Sequence, residues 1–69
     1  MNITNICHVA HANGISIMEV TTVDRQCFEL HTEKTGLTTI YAQLTGRPLV
    51  AFANPGDALE AITDGEVQS

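Results

Sequence analysis

Residues 37–62 read LTTIYAQLTGRPLVAFANPGDALEAI, and they decide the fold because they combine the longest apolar run of the chain with its clearest punctuation. Inside them, residues 48–53 (PLVAFA) form a continuous apolar segment of strand length, with Gly46 and Arg47 before it and Asn54, Pro55 and Gly56 after it. A buried strand between two breaks is the expectation. Beyond it, Asn54 is a good helix N-cap. Pro55 suits the first helical position, where its missing N–H has no partner to lose, and Asp57 puts a carboxylate in the first turn. The pattern predicts a helix over 55–63, with Ala58, Leu59, Ala61 and Ile62 as its apolar stripe. A helix of about nine residues is not stable alone. It must dock on a sheet, most simply over the face presenting Phe52 and Val50.

Working back from that stretch, residues 37–44 are rich in Thr, Ile and Tyr, with Ile40, Ala42 and Leu44 on one side of a strand and Thr39, Tyr41 and Gln43 on the other. Residues 33–36 (EKTG) are a polar break ending in glycine, as in a hairpin loop closed by a left-handed residue. Residues 27–32 (CFELHT) alternate, with Phe28 and Leu30 on one face and Cys27, Glu29 and His31 on the other. Residues 23–26 form a turn. Residues 6–22 (ICHVAHANGISIMEVTT) carry Asn13-Gly14 at their centre, a strong hairpin signal because both residues tolerate the positive φ of a type I′ turn. In that register Ala12 faces Ile15, Ala10 faces Ile17, Val9 faces Met18, His8 faces Glu19 and Cys7 faces Val20. Both faces of this hairpin are then fairly apolar, which calls for burial on two sides or a dimer contact on one. A competing reading makes residues 3–12 an amphipathic helix, with Ile3, Ile6, Cys7 and Ala10 at spacings of three and four. The fold class expected is α+β: a small antiparallel β-meander of four to five strands with one short C-terminal helix packed on one face. The chain reads as a single compact domain over 1–69, with 65–69 a frayed tail.

The 69 residues bound the functional classes. Three basic residues (Arg25, Lys34, Arg47) against eight acidic ones give a formal charge of −5, which removes the electrostatic footprint of direct nucleic-acid binding. A basic surface on another protein is the partner that this charge favours, including a surface that would otherwise hold nucleic acid. Hydrophobic content of 43% is too high for a disordered chain. There is no apolar run of about 18 residues and no basic-then-apolar leader pattern, so a cytoplasmic protein without membrane contact is expected.

Cys7 and His11, and Cys27 and His31, repeat one spacing of residue types that bind zinc. That spacing converges on a helix face, whereas along a strand the two side chains lie about 13 Å apart. Cys27 to His31 reads as a strand, so no metal site is assigned, and the two cysteines are expected as free thiols. His8 and Glu19 have the makings of a base and its orienter, but a cross-strand polar contact accounts for them as well. No nucleophile elbow, phosphate loop or zinc-hydrolase motif occurs, so neither a catalytic residue nor a cofactor is expected.

Asp57, Glu60, Asp64 and Glu66 fall in the last thirteen residues without a Lys or Arg among them, and Glu29 and Glu33 sit near the second hairpin. Such carboxylates serve either as the solvated face of a surface helix or as a surface that occupies an arginine-rich groove. In size, acidity and organisation, the compact acidic chain with a β-meander and an acidic end resembles small phage-encoded accessory proteins of the anti-CRISPR type. The resemblance implies a non-enzymatic binding protein that inhibits or modulates a larger protein or nucleoprotein complex, with Asp57, Glu60, Asp64, Glu66, Glu29 and Glu33 as partner-binding residues. The alternative is a structural or assembly subunit that self-associates, as a homodimer, through its apolar hairpin.

Overall fold

The computed structural model describes residues 3–67, ordered as five strands and a helix: β1 (Ile3–Ala12), β2 (Ile15–Thr22), β3 (Cys27–Thr32), β4 (Thr38–Ala42), β5 (Pro48–Phe52) and α1 (Pro55–Thr63). The strands form one antiparallel sheet in sequence order, with α1 packed over β3, β4 and β5. The α+β meander is therefore the fold, and residues 3–12 are a strand. No helix among the described residues is long and apolar enough to cross a membrane.

Local chemistry sets the turns. Asn13 (φ 55°) and Gly14 (φ 77°) both take the positive φ that a type I′ hairpin demands. After β3, the N–H of Glu33 donates to the carbonyl of Leu37 and that of Gly36 to Glu33, both at 2.9 Å, closing the loop at a left-handed glycine. Between β2 and β3, Arg25 also takes a positive φ, and its N–H donates to the Thr22 carbonyl at 3.0 Å.

Strand alternation builds the core. Val20, Phe28, Leu30 and Ile40 point to one face and are fully buried, and Ala58, Ala61 and Ile62 of α1 close over them. Two alanines at the contact let the helix backbone approach the sheet. Met18, Phe52, Leu59 and Ile3 border this cluster. Two buried hydroxyls are satisfied: Thr38 donates to the Gly36 carbonyl at 2.9 Å, and Thr22 accepts from the Gln26 N–H at 3.2 Å.

Several expectations need correction. β5 is not the buried strand expected of residues 48–53: it lies at the sheet edge, with Pro48, Leu49, Val50 and Ala51 exposed and Phe52 half-buried. Leu44 is not a strand residue: β4 ends at Ala42, whose carbonyl accepts from the Gly46 N–H at 2.7 Å, and this turn leaves Leu44 93% exposed. Of the expected tail, Val67 is 5% exposed within the core cluster; residues 68 and 69 lie outside the described residues. The register of the first hairpin holds only near its turn. Ala12 pairs with Ile15 and Ala10 with Ile17, but the ladder then shifts, so that His8 pairs with Met18, Cys7 with Glu19 and Ile6 with Val20. Val9 is the extra residue of a β-bulge.

Candidate functional site

The acidic end of the chain takes its geometry from the capping of α1. Asn54 is the N-cap, its Oδ1 accepting from the Asp57 N–H at 2.8 Å, while its Nδ2 donates to the Asp57 carboxylate at 3.1 Å. Asp57 thus has a structural role, closing the cap and complementing the positive end of the helix. The other end is different. Asp64 is the C-cap, and the N–H groups of Gly65 and Glu66 donate to the carbonyls of Ile62 (3.1 Å) and Ala61 (2.9 Å) in a Schellman arrangement. Here the macrodipole is negative, there is no basic residue in the last turn, and Asp64 and Glu66 add negative charge against it.

Asp57, Glu60 and Glu66 converge on one shallow depression of about 210 Å³ beside α1, floored by Phe52 and Ala61. Among the described residues, no Lys or Arg forms an ion pair with any of them. Asp64 is exposed at the end of the same helix. Glu29 and Glu33 do not join this group. Glu29 alternates with the buried Phe28 and Leu30 and so lies on the sheet face opposite α1, and Glu33 borders a second depression, of about 330 Å³, with Asn13, Gly14 and Lys34 at the hairpin tips. The three basic residues are divided as well: Arg25 and Arg47 occupy turns at one end of the sheet and Lys34 a loop at the other.

The cysteine and histidine pairs do not converge. The bulge at Val9 leaves Cys7 opposite Glu19 on the uncovered face, while His11 pairs with Ser16 on the helix side. There it meets His8, whose Nε2 is 3.1 Å from Ser16 Oγ and whose ring centroid is 6.5 Å from that of His11. His8 therefore does not face Glu19. Cys7 and Cys27 are free thiols on strands separated by β2, and no three metal-ligating side chains come together among the described residues.

The uncovered sheet face brings together a group that the sequence reading did not assemble. Glu19 and Glu29 pair directly across β2 and β3, with Tyr41 next in the row on β4. Gln43 Nε2 donates to Glu19 Oε2 at 2.6 Å, and His31 Nε2 donates to Glu29 Oε1 at 3.3 Å, since a carboxylate can only accept. The His31 ring lies against Tyr41, centroids 4.3 Å apart. Alternation over residues 27–32 and 37–44 already grouped Glu29 with His31 and Tyr41 with Gln43; the neighbourhood needed the register, and Gln43 lies in the turn after β4. Chemically this is a hydrogen-bonded polar patch on an open surface, with neither depression reaching it.

Compared with known proteins, no family model matches the chain, and no curated protein or solved structure matches it either.

Proposed function

We propose that this chain is a non-enzymatic binding protein of the cytoplasm that inhibits or modulates a larger protein or nucleoprotein complex by presenting an acidic surface to a basic one, in the manner of anti-CRISPR inhibitors of nucleic-acid-binding effectors. The observation that carries this reading is the placement of Glu60 and Glu66 beside Asp57 on one depression, with none of the three paired to a Lys or Arg among the described residues. Asp57 is accounted for by the helix cap. Asp64 and Glu66 work against the helix dipole, so their charge does not serve the fold, and local conflict of this kind belongs to surfaces kept for another purpose. Glu29 and Glu33, on other parts of the surface, are secondary contacts in this reading. A net charge of −5 steers the chain toward a basic protein and away from nucleic acid itself.

The test is capture from a nuclease-treated lysate with the tagged chain and, in parallel, with an E60K/D64K/E66K variant whose circular dichroism matches the parent. A near-stoichiometric partner released by moderate salt from the parent, and missing with the variant, is the expected result. Equal capture of the same partner by both proteins would remove the basis for the reading.

A further inference from the structure

We infer that β1 is an interface for a second copy of this chain, the two β1 strands pairing antiparallel about a two-fold axis so that two five-stranded sheets become one. This inference is independent of the acidic surface.

The two edges of the sheet are not alike. β5 is five residues long, begins with Pro48 and has α1 packed on it, all of which discourage strand addition. β1 is the longest strand, at ten residues, and contains neither proline nor lysine. Its outer side has no strand partner among the described residues. It is also weakly supported by the core: residues 5–12 are all exposed, and among its described side chains Ile3 is the partly buried one that packs against the buried cluster. Ile6 and Val9 are 48% and 54% exposed. A strand held on one side only, with apolar side chains on both faces, gains backbone hydrogen bonds and burial together when another strand is added.

Charge selects the occupant. The chain carries −5, yet no Asp, Glu, Lys or Arg lies on β1; the acids occupy β2, β3, the loops and the helix region. A second copy, repelled elsewhere, can approach at this strand. A copy's β1 is also equally long, uncharged and unpaired, and antiparallel pairing of a strand with itself has the isologous symmetry that closes at two subunits. The ladder to β2 is regular from Asn5 to His8, between the two register shifts, so the axis passes near Cys7. Because such an axis is normal to the sheet, both helices lie on the same side of the dimer.

Sedimentation equilibrium of the full chain up to several hundred micromolar tests this, with I6K and V9K as two independent variants at exposed positions. A monomer–dimer equilibrium is expected, its Kd raised at least about tenfold in each variant with circular dichroism unchanged. A short bis-maleimide should link the dimer through Cys7, so that C27S still cross-links and C7S does not. A monomer at the highest concentration would overturn the proposal, as would a dimer unmoved by both lysines or one cross-linked only through Cys27. Dimerisation and partner capture are read in separate variants, so either proposal can fail alone.

Discussion

Glu19 and Glu29 stand directly opposite each other on β2 and β3, and each carboxylate is held by a different neighbour, Gln43 at 2.6 Å and His31 at 3.3 Å. Two like charges in a cross-strand pair repel, by about 0.2–1 kcal/mol in such positions. The flanking donors offset part of this by giving each carboxylate a hydrogen bond of its own. E19Q removes one charge and keeps an oxygen that accepts from Gln43. It is expected to raise the urea midpoint and to lift the Tm by a few degrees. A less stable E19Q protein would show that the charge of Glu19, and not only its oxygen, supports the fold.

The charge at the far end of α1 makes an opposite pair of demands. Replacing Glu66 by Lys puts a cation where the helix dipole is negative, and the expected gain is about 0.3–1 kcal/mol of stability. On the reading proposed above, the same substitution weakens partner capture. Thermal melting and capture measured on one E66K preparation should therefore move in opposite directions, and a variant that loses stability would contradict the assignment of Glu66 as a residue in conflict with the fold.

Asn54 is the counterpart at the other end. Its side chain satisfies the Asp57 N–H and orients the Asp57 carboxylate, so N54A should cost about 1 kcal/mol, within the range of about 0.5–2 for such caps. N54D, which keeps the accepting oxygen, should recover most of that loss in urea denaturation.

Val67 contributes to the core from beyond the helix. V67A is expected to destabilise by about 1–3 kcal/mol, combining lost burial with the space left behind. An effect indistinguishable from zero would mean that the chain after Gly65 does not hold this packing in solution.

Acid sensitivity has one local source in the β2–β3 turn. The Asp24 carboxyl is held below its ordinary value of 3.8, first by the hydrogen bond from the Thr22 hydroxyl and then by that from Gln26. A folded-state value below the unfolded one means that the stabilising contribution is fully present above pH 3.8 and is lost as pH falls through the lower, folded value. D24N should flatten that limb of the stability curve. In T22V the Asp24 titration, followed by NMR, should move up toward the ordinary value.

Much of this fold is legible locally. Asn54, Pro55 and Asp57 mark the helix start to the residue, Asn13-Gly14 marks the first hairpin, and the alternation of Phe28 and Leu30 with Glu29 and His31 marks both faces of β3. At Leu44 the local pattern misleads, because strand alternation continues through it whereas the Gly46 N–H closes a turn on the Ala42 carbonyl. The acidic end was legible as composition, but its division into Asp57, which caps the helix, and Glu60 and Glu66, which have no such part, was not.

The sequence by itself determined most of the elements, the turns and the class of fold, leaving residues 3–12 open between strand and helix, because these depend on φ preferences, missing or available N–H groups and side-chain periodicity within a few residues. Only the tertiary structure decided the bulge at Val9, which turns His11 away from Cys7 and sets His8 against Met18. It also decided the meeting of Glu19 with Glu29, the burial of Val67 and the exposure of β1 along one edge. The reason is physical: a bulge settles how two long twisted strands fit each other, and an edge exists only once every other strand has found its neighbours.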